Sequence, residues 1–456
     1  MGVKSLIYFT LFAIANSQVF NKLINNHAMQ SVNTFSGEGI AILLGKVSNT
    51  PLAIARMLGL THFPKIIDSP NINLDRFLID YNTGLTNEDV KLNVTQLAEK
   101  YGYSMEEHIV TTEDGYVLKL HRISAKGPIV FLMHGLTGSS DDFVIAGAES
   151  GLAYVLSRAG YDVWLGNARG NKHSKKHKYL SLKDPKFWDF SWHEIGYYDL
   201  AASIDFVLKH TDQSQLKYIG HSQGTTSFFV LLSERPEFNK KISFMAALSP
   251  VAWMTNLKSP LVRLVAPGGA IIHVITRALG LHEFFPDSKT TQMLKFLLCG
   301  MVPLADIMCS NALFFIVGFD YEQLNATNLP VIFSHMPSGG SAKQFAHYGQ
   351  GIVSKDFRQY DYGSTKNIDK YRQKTPPKYK VELITVPISL VYSDADWLAN
   401  PTDVLTLAER LGNVVDKYKV LNIFLYILVG FFFLKLIMLM LYFKRKNSTS
   451  KSGFEI

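Results

Sequence analysis

From residue 106 the chain alternates apolar and polar positions on both sides of an Asp114-Gly115 turn, EEHIVTTEDGYVLKLHRI (106–123). Period-two alternation around such a turn predicts a β-hairpin. Five continuous apolar runs follow: GPIVFLMHG (127–135), YDVWLGNARG (161–170), LKYIGHSQG (216–224), ISFMAALSP (242–250) and VPISLVYSDAD (386–396). A strand that is apolar throughout must be covered on both faces, so these runs read as strands of a buried, largely parallel sheet. Helix-length segments lie between them, AYVLSRAG (153–160), YDLAASIDFVLKH (198–210) and TSFFVLLSERP (226–236). Strand and helix in alternation predict a doubly wound α/β core over 86–250 that resumes over 381–420. In such sheets functional groups gather at the carboxyl ends of the strands, and each run here ends in small or reactive residues.

The interval 251–380 breaks this alternation. It is rich in Pro, Gly, aromatic and Met residues and offers helices without evident parallel strands. A largely helical cap domain, inserted after the sixth strand, accounts for it. Residues 18–85 hold no sustained period and are interrupted by Pro51, Pro64 and Pro70, which suits an N-terminal extension or pro-segment. Before them, Lys4, an apolar run and the small residues Ala15 and Ser17 predict a signal peptide over 1–17. At the other end, residues 421–443 read as a possible transmembrane helix, and the Lys444-Arg445-Lys446 cluster as the start of a basic cytosolic tail.

Hydrophobic residues make up 47% of the chain and charged ones 18%, the balance of a protein with a substantial core. The formal charge of +8 is not gathered into a basic block or a nucleic-acid module, so no nucleic-acid partner is expected. No spacing suggests metal ligands, and no motif calls for a cofactor. The chain holds two cysteines, Cys299 and Cys309; an oxidising compartment would favour their pairing over two buried thiols. Asn93 (NVT) and Asn325 (NAT) are glycosylation sequons. Oligomeric state leaves no mark.

Gly220-His221-Ser222-Gln223-Gly224 fits the G-x-S-x-G nucleophile elbow, and its context, strand before and helix after, is the one the motif requires. The flanking glycines permit a turn too tight for a Cβ. A serine alone is a weak nucleophile and needs an oxyanion hole, a base and an orienting acid. His134-Gly135-Leu136, at the end of the third strand, stands where an α/β-hydrolase presents its second oxyanion N–H. The expected donors are the N–H groups of Leu136 and Gln223, with His134 itself shaping the loop. The acid should follow a late strand, where both Asp394 and Asp396 qualify on pattern alone.

TEDGYVLKLHRI (112–123), MHGLTGSS (133–140), GNARGNKHS (166–174), FWDFSWHEIGYYDL (187–200), GHSQG (220–224), FDYEQLN (319–325) and DWLANPTDV (396–404) occur in an order that resembles the acid lipase family, which includes lysosomal acid lipase and gastric lipase. The resemblance covers roughly residues 86 to 420. It implies an α/β-hydrolase core under a cap, and hydrolysis of triacylglycerols or sterol esters at a lipid–water interface through a serine acyl-enzyme, in a secreted or lysosomal protein. It also implies Asp396 rather than Asp394 as the orienting acid, and a disulfide between Cys299 and Cys309. Asn400 stands where many members carry Asp.

One part is missing. The family order is Ser, Asp, then His, yet no histidine follows His347. Where relatives carry an Asn-His-Leu-Asp-Phe motif, this chain continues from Val420 into LNIFLYILVGFFFLKLIMLMLYFKRK. Two expectations stand together: a native membrane-anchored form, or translated noncoding sequence beyond Val420, whose codon begins with the GT that opens most introns. Either way the chain as written should be a weak or inactive lipase, with a membrane-anchored lipid-binding pseudoenzyme as the alternative.

Overall fold

The computed structural model describes residues 86–259 and 326–420, with isolated positions between them at 262, 263, 266, 276, 280 and 282–285. The expected signal peptide (1–17), extension (18–85), transmembrane helix (421–443) and basic tail (444–456) lie outside the described residues, as do Cys299, Cys309 and Asn325. Among the described residues no helix is long and apolar enough to cross a membrane.

Strands β1 (Glu106–Thr111) and β2 (Tyr116–Ile123) form the expected antiparallel hairpin, with Glu106 opposite Arg122 and Thr111 opposite Val117. Gly115 turns the chain at φ 98°, a conformation that favours glycine. Then come β3 (Ile129–Met133), β4 (Asp162–Leu165), the two-residue β5 (Lys176–His177), β6 (Leu216–His221), β7 (Ile242–Leu248), a separate small pair β8 (Glu283–Phe284) and β9 (Gly340–Ser341), β10 (Ile388–Ser393) and β11 (Val414–Val420). The main sheet runs β1-β2-β4-β3-β6-β7-β10-β11, with β5 on β2. From β4 to β11 every neighbour is parallel, whereas β2 meets β4 antiparallel. The sheet is therefore mixed at one end and doubly wound over the rest.

The apolar runs are explained by two cores. Along β3, Ile129, Phe131 and Met133 enter one and Val130 and Leu132 the other. Tyr218 and Ile219 divide β6 in the same way, as Met245 and Phe244 divide β7. Helices α1 (Val94–Lys100) and α2 (Leu152–Arg158) cover the second core, while α3 (Ala201–Thr211) and α4 (Gln223–Glu234) cover the first. Beyond the core strands, α5 (Leu329–His335), α6 (Ala342–Ser354) and α7 (Ser364–Tyr371) occupy the described part of the expected cap interval. Helix α8 (Pro401–Arg410), capped by the Asn400 side chain, returns the chain to β11. β11 alternates in burial and carries Asp416, Lys417 and Lys419, the charged edge that discourages further strand pairing.

A buried cation fixes the GNARG loop. Arg169 Nη1 and Nη2 donate to both Asp114 oxygens at 2.5 and 2.9 Å, and Nε donates to Asp199 Oδ1 at 2.7 Å. Its guanidinium lies 3.9 Å over the Tyr116 ring. The hairpin turn, the loop after β4 and the segment leading into α3 are thereby held by one side chain.

Candidate active site

Ser222 sits between β6 and α4 at φ 49°, ψ −114°. A non-glycine residue there costs roughly 1–3 kcal/mol and persists only where its surroundings enforce it. Those surroundings are visible. Ser222 N–H donates to Leu248 O at 2.9 Å, the Thr225 hydroxyl donates to Ser222 O at 2.6 Å, and Val251 N–H donates back to Thr225 Oγ1 at 3.0 Å. Gly224 is required by proximity, since a Cβ there would stand 2.3 Å from Met133 O. The turn packs so closely on the end of β3 that the elbow and the 134–139 loop form one unit.

That loop reaches the serine. A Cβ on Gly135 would lie 3.1 Å from His221 Nδ1 and 3.3 Å from Ser222 Cβ. The next residue is Leu136. Neither its N–H nor that of Gln223, first residue of α4, meets an acceptor among the described residues. An oxyanion hole requires unengaged N–H donors of this kind near the nucleophile. His134 is committed to the scaffold: Nδ1 donates to Gly135 O at 2.8 Å and Nε2 accepts from Ala168 N–H at 3.1 Å. Burial pushes its ring down to about 4, so it stays neutral.

The two candidate acids separate by environment. Asp394 is exposed and ion-paired with Lys419 on β11. Asp396 is 3% exposed, and its Oδ1 accepts from the N–H groups of Leu398 and Ala399 at 2.9 and 2.8 Å. Burial raises its carboxyl to about 6, against the pull of those two bonds and one from the Ser249 side chain. Ser249 follows β7 at φ 46°, and its N–H donates to Val391 O at 2.9 Å. Since β7 lies between β6 and β10, Ser249 links the strand end of Ser222 to that of Asp396.

No imidazole joins them. Among the described residues neither Ser222 nor Asp396 is hydrogen-bonded to a histidine. His221 adjoins Ser222 in sequence, and burial lowers its ring to about 4. His347 stacks on Trp192 at 3.7 Å and bonds to Ser191 and Arg358 O. Val420, last residue of β11, pairs with Ser393, three positions before Asp396. β11 therefore ends beside the strand end that carries Asp396.

A strap from the cap interval, unmarked by any sequence pattern, holds both donor segments. Ser338 N–H donates to Thr137 O at 2.7 Å, and Lys172 N–H donates to Ser338 O at 2.9 Å. Gln344 Nε2 donates to Gln223 Oε1 at 3.1 Å, while Gln344 Oε1 accepts from Ser341 N–H at 2.8 Å. At the strap's start, His335 Nδ1 and His173 Nε2 each donate to Asp141 at 2.7 Å, and Lys172 Nζ lies 2.5 Å from it. Burial alone would raise the Asp141 carboxyl; these donors hold it well below its ordinary range. Elsewhere, Asn93 is exposed and caps α1, its side chain accepting from Gln96 N–H at 3.0 Å.

Residues 94–147 match the family profile described as a partial α/β-hydrolase lipase region, and residues 128–265 match the α/β-hydrolase fold. Lipase 1 of Drosophila melanogaster is 44% identical over 338 residues, 73% of this chain and 74% of that one. The lysosomal acid lipase/cholesteryl ester hydrolase of Homo sapiens is 40% identical over 337 residues, 72% and 84% of the two chains. The gastric triacylglycerol lipase of Bos taurus is 38% identical over 346 residues, 74% and 86%.

Proposed function

We infer the function from one premise: the chain belongs to the acid lipase family of the α/β-hydrolases. It is a serine ester hydrolase of neutral lipids, with triacylglycerols or sterol esters as the substrate class, the chemistry named for its relatives. The reaction needs no cofactor. Ser222 Oγ attacks the ester carbonyl, and the N–H groups of Leu136 and Gln223 hold the oxyanion of the tetrahedral intermediate. Collapse expels the alcohol and leaves an acyl-Ser222 ester, which water hydrolyses. Asp396 is the acid placed to orient a base between itself and the serine. The observation that carries this reading is the strained φ of Ser222 on a strand–helix turn beside two free N–H donors.

The base sets the rate. Without a histidine a serine triad loses roughly a millionfold in turnover, while about 10³–10⁴ over water remains from the oxyanion hole and binding. The sequence from 348 to 456 contains no histidine, so this chain works in that residual regime. The site of action is the secretory pathway, in a lysosomal or extracellular setting, which the N-terminal pattern and the relatives' names support.

The test is release of oleate from triolein and cholesteryl oleate by the purified chain and by Ser222→Ala. Slow turnover that vanishes in the variant is expected. Lipid binding with no Ser222-dependent turnover would replace the lipase reading with that of a lipid-binding pseudoenzyme.

A further inference from the structure

At the edge of the sheet, four strands from β6, stands a group of side chains the ester chemistry does not use. Glu106 and His108, two apart on β1, share the face on which Val110 enters the core. The last turn of α3 brings His210 beside them. One oxygen of Glu106 and one ring nitrogen from each histidine lie within 4.8 Å of one another. Sequence spacing gave no hint of this, since the two histidines lie about a hundred residues apart.

Two of the three side chains are held in advance, and the third stands beside them. His108 packs 4.8 Å from Trp164 and 4.7 Å from His210, ring centre to ring centre, and His210 lies 5.6 Å from both Trp164 and Phe206. These ring contacts hold the His108 imidazole, while the exposed His210 ring has no hydrogen-bond partner among the described residues. His108 Nε2 lies 2.8 Å from Glu106 Oε2. Arg122 Nη1 donates to that same oxygen at 3.1 Å, and Arg122 is itself forked onto Asp162 at 2.8 and 3.0 Å. One guanidinium is thus matched by two carboxylates, which leaves the group net negative.

We propose that Glu106, His108 and His210 bind a divalent transition-metal ion of the zinc class, which ties the end of α3 to edge strand β1. Two imidazoles and a carboxylate suit zinc and its neighbours, with water in the fourth position, and do not suit calcium or magnesium, which take oxygen ligands. Ligand bonds of about 2.0–2.2 Å require the donors to draw in to roughly 3.4 Å of one another. His210, exposed at a helix end, has the freedom to close that gap. The site is structural and stands independently of the esterase reading.

The test titrates chelator-treated full chain with zinc chloride by calorimetry and follows its thermal midpoint. About one equivalent should bind, with affinity falling at least tenfold in His210→Ala and in His108→Ala. At a hundredfold excess over Kd the midpoint should rise by about 5 °C, and this rise should be absent in His210→Ala, measured against that variant's own metal-free midpoint. Cobalt(II) should give the visible bands of a tetrahedral nitrogen–oxygen site, lost in the same variant. Zinc affinity unchanged in His210→Ala would overturn the proposal by assigning the ion elsewhere, for instance to His173 and His335. A full chain whose midpoint zinc does not move would overturn it outright.

Discussion

Replacing Asp396 by Asn separates the charge at this position from its shape. The carboxyl is raised to about 6, against an ordinary 3.8, because burial outweighs the bonds from Ala399, Leu398 and Ser249. Between those two values the folded protein holds a proton that the unfolded chain has released, so stability falls as pH rises through the window. A gap of about two pH units at about 1.4 kcal/mol each means that roughly 3 kcal/mol is lost by pH 7. Asparagine keeps the Oδ1 acceptor for the Leu398 and Ala399 N–H groups, offers its amide to the Ser249 hydroxyl, and carries no charge. Asp396→Asn should therefore stabilise the protein by about 3 kcal/mol at pH 7 and by almost nothing at pH 4. Urea unfolding of both proteins at the two pH values reads this directly, because the difference between them cancels every other titrating group. Destabilisation at pH 7, or a difference that does not vary with pH, would refute the reasoning. It would mean that the carboxylate already has a positively charged partner of the kind a triad histidine provides.

Three further changes probe the scaffold and the donors. Gly224→Ala, which drives a Cβ to 2.3 Å from Met133 O, should cost about 3 kcal/mol or more in urea unfolding, because neither the elbow nor β3 has room to retreat. Arg169→Met strands the buried Asp199 and should cost about 3–5 kcal/mol at pH 8. Burial already raises that carboxyl to about 6 with Arg169 present, so the loss should shrink at pH 5, where Asp199 takes up a proton. Gln344→Ala removes the bond to Gln223 and should lower Ser222-dependent kcat about tenfold, equivalent to about 1.4 kcal/mol, with KM unchanged; a change in KM alone would place Gln344 in substrate binding instead.

The strands were legible because β3, β6 and β7 bury both faces, and a strand covered on both sides has little choice but continuous apolar residues. The elbow was legible for a related reason: Gly220 and Gly224 record close approaches that no other residue tolerates. Asp394 and Asp396 were indistinguishable as a pattern. The family resemblance favoured Asp396, and the physical reason appears when the chain places Asp394 beside Lys419 at the surface and folds Asp396 under the N–H groups of Leu398 and Ala399. The strap was invisible because its contacts cross long intervals; Gln344 and Gln223 are 121 residues apart. A single hydrogen bond between neutral amides imposes no period on a sequence. The same holds for Ser249, whose left-handed backbone carries no signature when the residue is not glycine. The antiparallel meeting of β2 with β4 escaped notice because an apolar run does not encode the direction of its neighbour.

The central claim is that Ser222 is the nucleophile. Incubation of the full chain with a long-chain alkyl phosphonate ester, followed by peptide mass spectrometry, tests it most directly, since the phosphorus adduct is stable and marks the attacking oxygen. One adduct on the peptide containing Ser222, forming over hours and absent from Ser222→Ala, is the predicted result. An adduct on any other residue, or none after prolonged incubation, would contradict it.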